Sequence, residues 1–131
     1  MSQTASNVLK DHGINPSAQR VAVARYVLRT ADHPSAEQVW RRVQKSFPQI
    51  SRATVYNTLK LFVEKGLLRQ FVLTEGCMVF DPNVVDHHHF IDEESGTIHD
   101  IPWEALQVSD VDRIEGFEVS EYQVVMRGKK K

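Results

Sequence analysis

The sequence predicts an α+β fold in two unequal parts, and three observations carry that expectation. Apolar residues recur at helical three- and four-residue spacing through the first half, then give way to short apolar runs and strand-like alternation. Charge divides at nearly the same place: residues 1–70 hold 11 Lys or Arg against 4 Asp or Glu, and residues 71–131 hold 5 against 13. Between the halves, Pro82-Asn83-Val84-Val85 reads as a short hinge. The expected organisation is one domain over residues 1–81, a hinge over 82–85 and a second domain over 86–131.

Residues 2–12 read as a short helix stopped by Gly13, the residue that best tolerates the left-handed turn after a helix. A second helix begins near Pro16 and carries Val21, Ala24, Val27, Leu28 and Ala31 on one stripe, with Arg20, Arg25 and Arg29 off it. Asp32-His33-Pro34 breaks that helix. Ser35-Ala36-Glu37-Gln38 fits a capping box for a third, whose stripe is Ala36, Val39, Trp40 and Val43. Ser51 caps a fourth helix from Arg52 to Lys65, ended by Gly66, with Val55, Leu59, Phe62 and Val63 inward. Leu67–Leu73 and Cys77–Phe80, joined by Thr74-Glu75-Gly76, read as a β-hairpin.

Three helices, a fourth with a polar and basic free side, and then a hairpin form the order of a winged helix-turn-helix domain. Such a domain lays its last helix in the major groove of DNA. Arg52 can donate to phosphate or guanine and Asn57 can pair with adenine. Tyr56 and Lys60 are placed for the backbone, and Arg20 and Thr54 complete the expected DNA-binding set. The basic half suits a polyanion, and the acidic half tolerates cations.

In the second half, His87–Ile91 and Thr97–Ile101 read as strands joined by the acidic turn Asp92–Gly96. Trp103–Leu106 reads as a helical turn, and Ser109 as the cap of a short helix over Asp110–Glu115. Phe117–Met126 alternates as a strand would. A unit of about 45 residues is too small to be stable unaided, so a partner subunit or a metal is expected to support it. Within Asp86-His87-His88-His89, strand alternation points His87 and His89 one way and His88 the other. Two imidazoles on one face with carboxylates nearby make a nitrogen and oxygen donor set for a borderline divalent metal. His88 is expected to be solvated, with a second site shared with Asp86 as the alternative. His99 is expected to face away from Asp100, and Cys77 to be buried in the hairpin. Trp40 and Trp103 are expected to be core residues.

The composition excludes several classes. There is no apolar run of the ~18 residues that a membrane span needs, nor a signal-peptide pattern, so a cytoplasmic protein with no membrane partner is expected. A single cysteine rules out an intrachain disulfide. No general base or oxyanion donors accompany the histidines, so the protein is not expected to be an enzyme.

The chain resembles the ferric uptake regulator (Fur) family along nearly its whole length. The segments that carry the resemblance are Gly13-Ile-Asn-Pro-Ser-Ala-Gln-Arg20, His33-Pro-Ser-Ala-Glu37, Ser51–Lys60, Asp86–His89, Gly96-Thr-Ile-His-Asp100 and Gly116-Phe-Glu-Val119. The resemblance implies a homodimeric, metal-responsive repressor of operator DNA, with an N-terminal winged helix and a small C-terminal α/β dimerisation domain. Carried over position by position, the regulatory metal site is His33, Asp81, His87, His89 and Asp100. Such a set suits Fe²⁺ or Mn²⁺ and also accepts Zn²⁺ in the protein as purified. Metal that favours one placement of the two domains would bias a two-state equilibrium. Asp at both carboxylate positions, and Asn57 in Thr-Val-Tyr-Asn, resemble the peroxide-sensing PerR branch. That branch implies metal-catalysed oxidation of His33 or His87, with Mn²⁺ giving a peroxide-insensitive form. The alternative branch is Irr, which answers haem and iron and carries an HHH run, although Cys77-Met78 lacks the proline of a haem-regulatory motif. Most of the family holds a structural zinc in two CxxC pairs. Here the first pair is replaced by Asp92 and Ser95 and the second is missing where the chain ends in Gly128-Lys-Lys-Lys, so no structural CxxC zinc is expected. The dimer is then expected to rest on Phe90, Val119, Val124 and Met126.

Overall fold

The computed structural model describes residues 4–74 and 76–131. The expected helical positions 2 and 3, and Glu75 in the hairpin turn, lie outside the described residues. The chain divides into two compact units, Met1–Val84 and Val85–Lys131.

In the first unit each helix starts on a side-chain oxygen. Thr4 caps α1 (Ala5–Asp11), Ser17 caps α2 (Ala18–Val27), Ser35 caps α3 (Ala36–Gln44) and Ser51 caps α4 (Arg52–Glu64). Each accepts a backbone N–H three residues on, which satisfies one of the donors a helix start leaves unpaired. At Ser35 the exchange is reciprocal, because the Gln38 side chain accepts from the Ser35 N–H at 2.8 Å. Gly13 and Gly66 end α1 and α4 at φ +73° and +79°, a region that costs any residue with a Cβ.

The helices close over one core that includes Leu9, Ile14, Val27, Val39, Leu59 and Phe62. Burying a side chain of this size contributes roughly 1.5–3 kcal/mol. The inward face of α2 is Val23, Ala24 and Val27, so the expected stripe holds at Ala24 and Val27 but left out Val23. Val21 and Leu28 are half-buried, and Ala31, past the helix end, is exposed. The α2 helix meets α1, α3 and α4 at once, so its buried arc is wider than a single three/four stripe and takes in two adjacent residues.

A hairpin follows, β1 (Arg69–Thr74) antiparallel to β2 (Cys77–Asp81), with a bulge between Val72 and Thr74 and Gly76 at φ +70° in the turn. Cys77 is half-buried, not buried as expected. Four helices and a two-stranded wing make this unit a winged helix.

The second unit is a three-stranded sheet. β3 (His87–Asp92) lies centrally, antiparallel to β4 (Ile98–Pro102) and parallel to β5 (Val125–Gly128). A parallel neighbour needs a crossover, and residues 103–124 supply it. Two expectations fail in this segment. Phe117–Met126 is not one strand, because only Val125–Gly128 pairs with β3, and Phe117 is 75% exposed. Alternation alone does not make a strand where no neighbour offers a ladder. Ser109 does not cap a helix either. A 3₁₀ turn at Val111–Arg113 follows Asp110, which sits at φ +66° and gives no side-chain cap. Trp103–Ala105 forms the other 3₁₀ turn. Among the described residues no helix is long and apolar enough to cross a membrane.

Candidate metal centre and nucleic-acid face

In the first unit, His33 and Asp81 meet. The Phe80 N–H donates to the Pro34 carbonyl at 2.9 Å, which fixes β2 beside the loop before α3. That bond sets the residue before Pro34 beside the residue after Phe80, and His33 Nε2 lies 3.1 Å from Asp81 Oδ2 with both side chains under 5% exposed. His33 takes φ +51°, a costly conformation for a non-glycine residue. Its Nδ1–H donates to the Ala31 carbonyl at 3.0 Å, which leaves Nε2 as the nitrogen that faces the carboxylate. The Asp81 Oδ1 accepts the Asn83 N–H at 2.9 Å.

In the second unit, strand parity does what the sequence predicts. His87 and His89 share a face with their Nε2 atoms 3.1 Å apart, and each Nε2 lies 3.5 Å from Asp100 Oδ1. Asp100 is there because the β3–β4 register pairs it with His89. The His87 Nδ1–H donates to the Val85 carbonyl at 2.6 Å, and the His89 Nδ1–H donates to Gln123 Oε1 at 2.7 Å. Both rings are therefore held in the same tautomer, with two Nε2 lone pairs converging on one carboxylate oxygen. Lone pairs at 3.1 Å repel unless a cation or proton lies among them. Neutral imidazole nitrogen, oriented by an outer hydrogen bond, plus carboxylate oxygen is the donor chemistry of Fe²⁺, Mn²⁺ and Zn²⁺. The residues present fit such an ion. Sequence reasoning missed Gln123 and the Val85 carbonyl. Gln123 is 34 residues from His89, and nothing local marks it.

The middle histidine corrects an expectation. His88 is 1% exposed, not solvated. Its ring stacks on Trp103 at 4.5 Å, with Tyr122 beyond, and its Nδ1 accepts the Val124 N–H at 2.9 Å. Trp103 and Trp40 are both half-buried. Asp86 lies along a cleft of about 410 Å³ with Trp103, Asp110, Asp112, Glu121 and Tyr122. His99 pairs across the sheet with Phe90, one position out of phase with Asp100.

The acidic turn carries its own closure. Asp92 Oδ1 accepts the Glu94 N–H at 3.0 Å and Oδ2 accepts the Ser95 hydroxyl at 2.9 Å. The Ser95 oxygen in turn accepts the Thr97 N–H at 3.1 Å. The Glu94 amide first, and then the Ser95 hydroxyl, hold the Asp92 carboxyl below its ordinary value. With one cysteine in the chain, no CxxC pair is available for zinc, and this hydrogen-bonded turn stands at the first pair's positions.

The six residues expected to meet DNA fall into two groups. Arg20, Thr54, Asn57 and Lys60 line a groove of about 610 Å³ between α2 and α4, with Arg20 donating from Nη1 to the Asn15 carbonyl at 3.1 Å. Arg52 and Tyr56 turn to α3 instead. Arg52 donates to both oxygens of Glu37, from Nε at 3.0 Å and Nη2 at 3.1 Å, with its guanidinium carbon 3.9 Å from the Trp40 ring centroid. The Tyr56 hydroxyl donates to Glu37 Oε2 at 3.3 Å. The Arg52 hydrogen bonds, chiefly, hold the Glu37 carboxyl below its usual range, and Glu37 raises Arg52 in return. The sequence reading placed Glu37 only within the α3 cap.

The chain matches the ferric uptake regulator family over residues 11–127. It is 32% identical over 126 residues to the peroxide operon regulator of Bacillus subtilis (strain 168), covering 95% of this chain and 87% of that protein. It is 30% identical over 124 residues to the peroxide-responsive repressor PerR of Staphylococcus aureus (strain Mu50 / ATCC 700699), covering 92% and 82%. Among solved structures, a zinc-bound manganese uptake regulator superposes with a TM-score of 0.70 at 26% identity, over 98% of this chain and 100% of that one. Family match and fold agree, and the chain belongs to the ferric uptake regulator family of transcription regulators.

Proposed function

We propose that this chain is a dimeric, metal-dependent DNA-binding repressor that loses its operator when peroxide oxidises a ligand histidine. The observation that carries the reading is the pair of Nε2 lone pairs on His87 and His89, 3.1 Å apart with both Nδ1 atoms committed elsewhere. His33 and Asp81 form a second donor pair of the same chemistry. We assign all five donors, with Asp100, to one regulatory Fe²⁺ or Mn²⁺, with residues 82–85 as the hinge between domains 1–81 and 86–131. Fe²⁺ held there would supply redox chemistry toward peroxide, in which one peroxide oxygen ends on an imidazole carbon and the other leaves as water, and Mn²⁺ would not. The oxidation is assigned to His33 or His87 by the resemblance to the peroxide-sensing branch, since His89 is held with its Nε2 toward the same donors.

Operator duplex would meet the α2–α4 groove, where Asn57 reads a base edge and Arg20 and Lys60 meet phosphate. A second copy would cover apolar surface on the small unit, where Phe117 is 75% and Ile114 50% exposed. The names of the relatives support the peroxide signal, since both curated proteins above are peroxide regulators. The test is mass spectrometry of protein loaded with Fe²⁺ without oxygen and then exposed to peroxide. One added oxygen on His33 or His87 is expected, together with release of DNA, and neither change in the Mn²⁺ form. Retained DNA binding with no oxygen on either histidine would overturn the oxidation mechanism.

A further inference from the structure

We infer that Glu37 is a gate on DNA contact, holding Arg52 and Tyr56 so that phosphate must compete with a carboxylate for the same donors. The inference rests on the DNA-binding reading above. One edge of a guanidinium engages one carboxylate or one phosphate at a time, so the Nε–Nη2 edge of Arg52 cannot take phosphate while Glu37 holds it. Arg52 spends Nε and Nη2 on Glu37, and the Tyr56 hydroxyl goes to the same acid. Both donors sit in the first two turns of α4, the helix whose Asn57 and Lys60 line the groove.

The pair is open to solvent, with side chains 58% and 34% exposed, and pairs of that kind are weak and screened by salt. A phosphate can therefore displace Glu37. The Trp40 face keeps the guanidinium stacked at the start of α4 while it changes partner. The N-cap exchange of α3 runs through Ser35 and Gln38, so Glu37 is not needed to start its helix. Its consequence for DNA is a lower affinity for phosphate on any sequence, which leaves a larger share of discrimination to base contacts.

The test is duplex binding by the Mn²⁺-loaded full chain at several salt concentrations, using a mixed-sequence duplex as the probe. Glu37→Gln is expected to tighten binding roughly two- to fivefold, the scale of one exposed ion pair. In an Arg52→Ala/Tyr56→Phe background, which removes both donors that Glu37 holds, the same change should do almost nothing. That separates the gate from the general effect of removing a negative charge, which would persist there. Glu37→Ala is a second variant, with thermal melting to confirm that it folds. Unchanged or weaker binding by both Glu37 variants would overturn the gate and make Glu37 a buttress that aims Arg52. A gain that survives the Arg52→Ala/Tyr56→Phe background would also overturn it. Failure of the unaltered protein to bind any duplex would remove the DNA-binding reading, and the gate with it.

Discussion

Replacing Gln123 by leucine removes the acceptor that orients His89 without touching a proposed ligand. The His89 ring is fully buried, and its Nδ1–H reaches Gln123 Oε1 at 2.7 Å. Leucine leaves that N–H in apolar surroundings, at a cost of about 1–3 kcal/mol for a buried donor without a partner. The ring can limit the cost by changing tautomer or rotating, and either response takes the Nε2 lone pair away from His87 and Asp100. Loss of such an outer contact lowers metal affinity about 10- to 100-fold, which corresponds to about 1.4–2.7 kcal/mol. The two ranges agree, as they should if one hydrogen bond is responsible for both. The assay is competition for Mn²⁺ and Zn²⁺ against a chromophoric chelator, with circular dichroism to establish that the fold is kept. Gln123→Glu retains the acceptor and should bind metal at least as well as the unaltered chain. An affinity for Gln123→Leu within about twofold of the starting protein would refute the assigned tautomer and its role.

Four further outcomes follow from the geometry. Phe62 is fully buried in the core of the first unit, so Phe62→Ala should cost about 3–5 kcal/mol in urea unfolding of that unit. Asp92 has its carboxyl lowered in the fold by the Glu94 amide and the Ser95 hydroxyl. Its contribution to stability is present above the unfolded value near 3.8 and is lost as pH falls through the lower folded value. Asp92→Asn should therefore flatten the acid limb of a stability–pH curve below about pH 4 and leave its shape near neutrality unchanged. In duplex binding, Lys60→Ala should weaken every sequence alike and reduce the salt slope by about 0.9. Asn57→Ala should alter base preference with little change in slope, as a selection experiment on randomised duplexes would reveal.

Much of the fold was legible because its signals are local. Ser35 and Ser51, with Gly13 and Gly66, act within one turn of themselves, and the helices begin and end where those residues stand, whereas the second helix starts on Ser17 and not at the expected Pro16. Strand parity is local as well, and it put His87 and His89 on one face. The illegible parts depend on neighbours distant in sequence. His88 looks like a solvated residue until Trp103 and the Val124 amide arrive from the crossover to bury it. Phe117–Met126 has the alternation of a strand, but only its end reaches β3. Glu37 and Arg52 are 15 residues apart, and nothing in either segment announces that they meet. Parity thus identified which histidines could act together, and tertiary contacts decided what the third one does.

The account turns on whether the histidine and aspartate donors couple a divalent ion to DNA. The most direct measurement is duplex affinity, by fluorescence anisotropy, of protein purified without oxygen, with Mn²⁺ and again with a chelator. The account predicts that Mn²⁺ tightens binding about 5- to 150-fold, the usual span of such coupling. His87→Ala should abolish the difference. Equal affinity with Mn²⁺ and with chelator, in a protein that binds the duplex in both states, would contradict it.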